Sequence, residues 1–172
     1  MGPPGAAAMK EEQRLFLAQA RSAYSVYRLL KAQTNLPHCH ALHYLQMATE
    51  LLGKASAWKS GPVKTSHKAL VSFLRRLSTN TKAQIRLGYE GENENWTNTI
   101  RKITPIADNL QRLAPDLAGD GPNPEYPWPK DAPTHTPAEY AFQIWSDLTD
   151  TSYGRTLISF LDQLFTVADE YM

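Results

Sequence analysis

From Pro37 to Trp58 the apolar residues fall at steps of three and four: Ala41, Tyr44, Leu45, Ala48, Leu51, Leu52 and Ala55. That spacing gathers them on one face of an α-helix. The same recurrence marks further stretches before and after it. No stretch alternates apolar and polar residues for long enough to make a half-buried strand. The chain is thereby restricted to an all-α fold, and this stretch reads as its central helix.

The remaining helices follow in order. Met9 to Ala32 carries the stripe Phe16, Ala20, Ala23, Tyr24, Tyr27 and Leu30. A short turn, Thr34 to Leu36, leads into the central helix, with Asn35 as a predicted N-cap and Pro37 in the first turn. So short a connection makes the two helices antiparallel neighbours. Lys59 to Thr65, with Gly61-Pro62, breaks the chain. Ser66 is the expected cap of a third helix, burying Leu70, Phe73, Leu74 and Leu77 and turning Arg75 and Arg76 outward. Ser78 to Asn80 interrupt it before a short helical piece over Thr81 to Tyr89.

Trp96, Ile100, Ile103, Ala107 and Leu110 define another helix, up to Leu113. Pro105 lies inside it, and an interior proline costs about 3 kcal/mol or more, so a kink or break is expected there. Pro115 to Thr136 holds Pro115, Pro122, Pro124, Pro127, Pro129 and Pro133 and reads as one long irregular strap. Tyr126 and Trp128 are its expected anchors on the helices. Thr136-Pro137-Ala138-Glu139 has the pattern of a helix start with a capping box. Tyr140, Phe142, Ile144, Trp145 and Leu148 follow it, then a turn over Thr149 to Gly154. A last helix buries Leu157, Phe160, Leu161, Leu164, Ala168 and Tyr171. The expectation is an up-and-down bundle of about five to seven helices with one Pro-rich loop near residues 115–136. Residues 1–8 read as a flexible tail, and 9–172 as a single domain.

The net charge of +1 points to no strongly ionic partner, but its distribution is uneven. From Leu51 to Tyr89 every charged residue is basic: Lys54, Lys59, Lys64, Lys68, Arg75, Arg76, Lys82 and Arg86. The segment after Asp116 is mainly acidic. Lys64, Lys68, Arg75, Arg76 and Lys82 are candidate phosphate contacts for RNA or a nucleotide. Two halves that attract each other, within a chain or across a dimer, would have the same asymmetry. One cysteine excludes an internal disulfide framework and fits a reducing compartment. No apolar run approaches the roughly 18 residues of a membrane span. The N-terminus lacks a charged, apolar leader. A cytoplasmic protein with no membrane partner is the expectation.

Candidate chemistry begins with His38, Cys39, His40 and His43. His40 and His43 share a helix face, as do Cys39 and His43, yet a zinc site needs three or four ligands and no further set stands nearby. Cys39 reads as a buried, inert thiol. Gly-rich phosphate loops, Walker patterns and metalloprotease motifs do not occur, so neither a cofactor nor a metal is expected. His67 is left as a weak candidate acid or base, with the His38–His43 group beside it.

Gln46-x-Ala48-x-Glu50-x-x-x-Lys54-Ala55 is similar to a pattern in the second helix of many prokaryotic HEPN domains (higher eukaryotes and prokaryotes nucleotide-binding). His67-x-x-Leu70 resembles the opening of their next helix, and the likeness covers roughly Met9 to Leu77. The resemblance implies a bundle of four or more helices, often a homodimer. It gives Gln46, Glu50 and Lys54 a positioning role at an interface. Many HEPN members are metal-independent ribonucleases of toxin–antitoxin or defence systems, with an arginine and a histidine separated by four to six residues. No arginine here has a histidine at that spacing; Lys130 and His135 come nearest, with lysine in arginine's place. The resemblance therefore implies a non-catalytic member that binds a second copy, a protein such as a nucleotidyltransferase, or RNA or a nucleotide. A divergent ribonuclease is the alternative.

Overall fold

The computed structural model describes residues 9–58, 67–129 and 134–172. The expected tail at 1–8, the Gly61-Pro62 break, the Ser66 cap and Lys130 lie outside the described residues. Those described form an all-α bundle. Its helices are α1 (Glu11–Lys31), α2 (His38–Trp58), α3 (Ala69–Leu77), α4 (Thr81–Arg86), α5 (Asn93–Gln111), α6 (Pro115–Ala118), α7 (Gln143–Asp150) and α8 (Ser152–Tyr171). The number exceeds the expected five to seven because α4 and α6 are short pieces of the chain's turns. Among the described residues no helix is long and apolar enough to cross a membrane.

α1 and α2 form the most extensive helix pair. They run antiparallel: buried Gln13, in the first turn of α1, donates to the Ala55 carbonyl near the end of α2 at 3.2 Å. α2 also packs on α3 and α5. Its core contribution therefore extends beyond one stripe, adding Cys39, Leu42, Thr49 and Gly53 to Ala41, Leu45, Ala48, Leu52 and Ala55. A helix buried on several sides is apolar over more of its circumference than a surface helix. α3 meets α2 at the closest approach its backbone permits: a Cβ on Gly53 would sit 2.5 Å from the Ala69 carbonyl oxygen. α8 closes the other side against α4, α5 and α7. Arg21 ties α1 to it by donating from Nε and Nη2 to the Phe165 carbonyl at 3.0 and 2.9 Å.

Four local expectations are corrected. α2 begins at His38, directly after Pro37, so Asn35 is not its cap. Of the kink or break expected at Pro105, the break does not occur: α5 runs through it as one helix. Pro105 is on the solvent face, and the carbonyl it deprives of a donor belongs to exposed Arg101. The buried residues Ile100, Ile103 and Ala107 on either side hold the helix together. Thr136 caps nothing: Pro137–Glu139 is a single 3-10 turn, and the chain stays extended through Phe142 before α7. Tyr140 and Phe142 pack against Trp128 instead, with ring centroids 5.0 and 6.1 Å away. The expected turn over Thr149 to Gly154 is tighter than its sequence implies. Thr151 Oγ1 caps α8 by accepting from Gly154 N–H at 3.0 Å, so Gly154 lies inside the helix.

The strap begins with α6 and then crosses the bundle in irregular conformation. Trp128 docks as expected and is 1% exposed. It pairs through its backbone with His135, N–H to carbonyl at 3.1 and 3.0 Å in the two directions. Tyr126 does not dock; it is 60% exposed.

Candidate functional site

α2 carries a polar ladder, Gln46, Glu50 and Lys54, one helical turn apart at each step. Glu50 is the hub. Its carboxylate accepts from Gln46 Nε2 at 2.9 Å, from Lys54 Nζ, and from His67 Nδ1 at 2.8 Å. His67, two residues ahead of α3, reaches on to α6: its Nε2 is 2.9 Å from Asp116 Oδ2. A carboxylate on each nitrogen favours the imidazolium, the form in which both nitrogens donate. Gln46 is buried, Glu50 and Lys54 are 12% and 17% exposed at their side chains, and Asp116 stands out at 78%.

The network sets its own protonation states. Burial pushes the Glu50 carboxyl up, but the donors Lys54, His67 and Gln46 outweigh it and hold it below the usual range. The hydrogen bond with Glu50 raises His67; burial opposes, and the charges of Glu50 and Asp116 add to the rise. Two signs follow by linkage. The raised His67 contributes stability that is complete below its unfolded value and lost as pH rises through its folded value. The lowered Glu50 contributes stability that is present above its unfolded value and lost as pH falls through its folded one. The network is therefore strongest between the ordinary glutamate and histidine ranges, around pH 5–6. Urea titrations should show the stability gap between wild type and His67→Gln widest there and narrowing toward pH 9. A gap that does not change with pH would reject the imidazolium assignment.

Beside this network lies a cleft of about 390 Å³. Met47, Leu51, Ala114 and Pro115 give it an apolar floor, while Gln46, Glu50, His67, His43, Gln19 and Glu125 supply polar groups. α2 thus presents His43, Gln46 and Glu50 on one wall, and the strap brings Glu125 to the cleft as well. His43 Nδ1 lies 3.4 Å from Glu125 Oε1, within ion-pair distance, yet among the described residues that nitrogen has no hydrogen-bond partner.

Residues singled out in the sequence therefore converge in part. His67, from a separate motif, joins Gln46, Glu50 and Lys54. The three ladder side chains are turned inward and bonded mainly to this chain's own groups. Arg75, Arg76 and Lys82 are exposed on α3 and α4 and do not line the cleft. Arg76 donates to the Gly53 carbonyl at 3.2 Å. Lys68 adjoins His67, and Lys64 lies outside the described residues. His38 stacks on Trp145, ring centroids 4.1 Å apart, and Cys39 is buried, with burial pushing its thiol up. Among the described residues no three His, Cys, Asp or Glu side chains are placed to hold a metal. Asp116 and Glu125 escaped the sequence reading, because a segment without periodicity gives no sign of which side chains it returns to α2.

No family model, no curated protein and no solved structure matches the chain.

Proposed function

We propose that the protein is a non-catalytic HEPN-like helical domain that works by binding, to a second copy of itself or to a partner protein. The observation that supports this reading most is the closure of the Glu50 network. A general acid or base needs a nitrogen or oxygen free to meet substrate. Here Glu50 already accepts from three donors, and His67 holds a carboxylate on each nitrogen. The described residues that line the cleft include no arginine or lysine to stabilise a phosphate in a transition state. RNA or nucleotide binding, if present, belongs to the exposed cations Arg75, Arg76 and Lys82 and would fall steeply with added salt.

One observation favours the ribonuclease alternative. Asp116, the outer partner of His67, is highly exposed, and its departure would free a protonated Nε2 at the rim of the cleft. A ribonuclease assay on the purified protein separates the two readings. The binding reading predicts no cleavage by wild type or by His67→Ala, with a dimer or a captured partner in sedimentation at tens of micromolar. Cleavage by wild type that disappears with His67→Ala would overturn it.

A further inference from the structure

We propose that the cleft between α2 and the strap binds an organic monocation, a primary ammonium on a short apolar stem, with Glu125 as its counter-ion. The cleft's charges carry the proposal. Among the described residues Glu50 and Glu125 line the cleft and Asp116 stands beside it on His67, while Lys54 and His67 are the cations paired with Glu50 and Asp116. Both cations sit on Glu50, and His67 also covers Asp116. Among the described residues no lysine or arginine forms an ion pair with Glu125.

Glu125 is also short of hydrogen bonds. Its side chain is 25% exposed on a residue that stands at the surface, so the carboxylate keeps only part of its water. Among the described residues the one group within ion-pair distance is His43, and the pair makes no hydrogen bond. A carboxylate that loses water without gaining donors is destabilised. A ligand bringing N–H donors and one positive charge removes that deficit. The floor of Met47, Leu51, Ala114 and Pro115 offers nothing to a polyanion or a sugar but suits a chain of methylenes. Gln19, exposed at the rim, can take a polar far end. Phosphate-bearing ligands are disfavoured by the same charge count.

The shared chemistry has two sources, a free amine or a lysine side chain on a partner. The inference rests on the binding reading only in treating the cleft as a place that holds rather than transforms a ligand. It does not depend on the HEPN resemblance or on a dimer.

The test is an NMR titration of the intact protein, following the Met47 methyl, with n-hexylammonium, with hexan-1-ol as its neutral counterpart, and with a blocked lysine-containing tripeptide. Saturable shifts with hexylammonium, at least tenfold weaker with the alcohol, are expected. Glu125→Gln should weaken the ammonium at least tenfold, while Glu170→Gln, at the exposed ion pair with Arg86, leaves it unchanged. Tighter binding of the tripeptide assigns the site to a partner's lysine; tighter binding of the free amine assigns it to a small molecule. Equal binding of alcohol and ammonium, or no saturable shift at tens of millimolar, would overturn the proposal. The wild-type comparison stands even if Glu125→Gln does not fold. A failed titration leaves the nuclease and sedimentation results untouched, so the two readings fail separately.

Discussion

Replacing Trp128 by alanine should lower the unfolding free energy by about 3–5 kcal/mol, the range for truncating a fully buried tryptophan. In a domain of this size that is a fall in Tm on the order of 10 °C. Trp128 is the point where the strap enters the core, and Tyr140, Phe142 and His135 surround it. Truncation removes that packing and frees the segment that holds Glu125 over the cleft. Trp128→Phe separates packing from polarity. The indole Nε1 is buried and has no hydrogen-bond partner, so phenylalanine loses ring area but relieves an unpaired donor. It should cost well under half as much as alanine. Thermal melts of both variants check this; an alanine variant that melts with wild type would mean the strap contributes nothing to the fold.

The second large effect belongs to Gly154→Ala. A Cβ there would lie 2.0 Å from the Asp147 carbonyl oxygen and 2.5 Å from Leu148 Cα. Both atoms are backbone of α7 and cannot swing aside as a side chain would. α8 must move off α7, opening the packing between the two helices, and a loss of about 3 kcal/mol, the upper end of the range for overpacking, is expected. Gly91→Ala is the matched control. Gly91 has φ +75° and open space around its missing Cβ, so alanine meets backbone strain alone, about 1–2 kcal/mol. Urea denaturation giving the two variants equal losses would show that close approach of the helices is not what selects glycine at 154.

Spacing of apolar residues located the helices and the buried faces of α1, α3, α5 and α8, because a helix that packs on one side must repeat its apolar residues at its own period. It failed where tertiary contacts decide the local backbone. The Thr136–Glu139 pattern is a sound helix start, yet Trp128 draws Tyr140 and Phe142 into extended conformation. Pro105 is a sound helix breaker, yet its place on the solvent face makes it tolerable. The site was half legible. Gln46, Glu50, Lys54 and His67 stood out by pattern, and the structure unites them. Asp116 and Glu125 lie 66 and 75 residues beyond Glu50 in an aperiodic segment, where only the folded path of the chain reveals their partners.

The ladder on α2 also fixes an angle. Hydrophobic burial alone distinguishes poorly among the rotational settings of a helix enclosed by α1, α3 and α5, and the close approach of Gly53 to Ala69 already restricts them. Glu50 and Lys54 permit one of them: any substantial rotation about the helix axis would drive a carboxylate or an ammonium group away from His67 and into hydrocarbon. Charge at those two positions thus acts with Gly53 as a rotational key for α2, reinforcing a single azimuth.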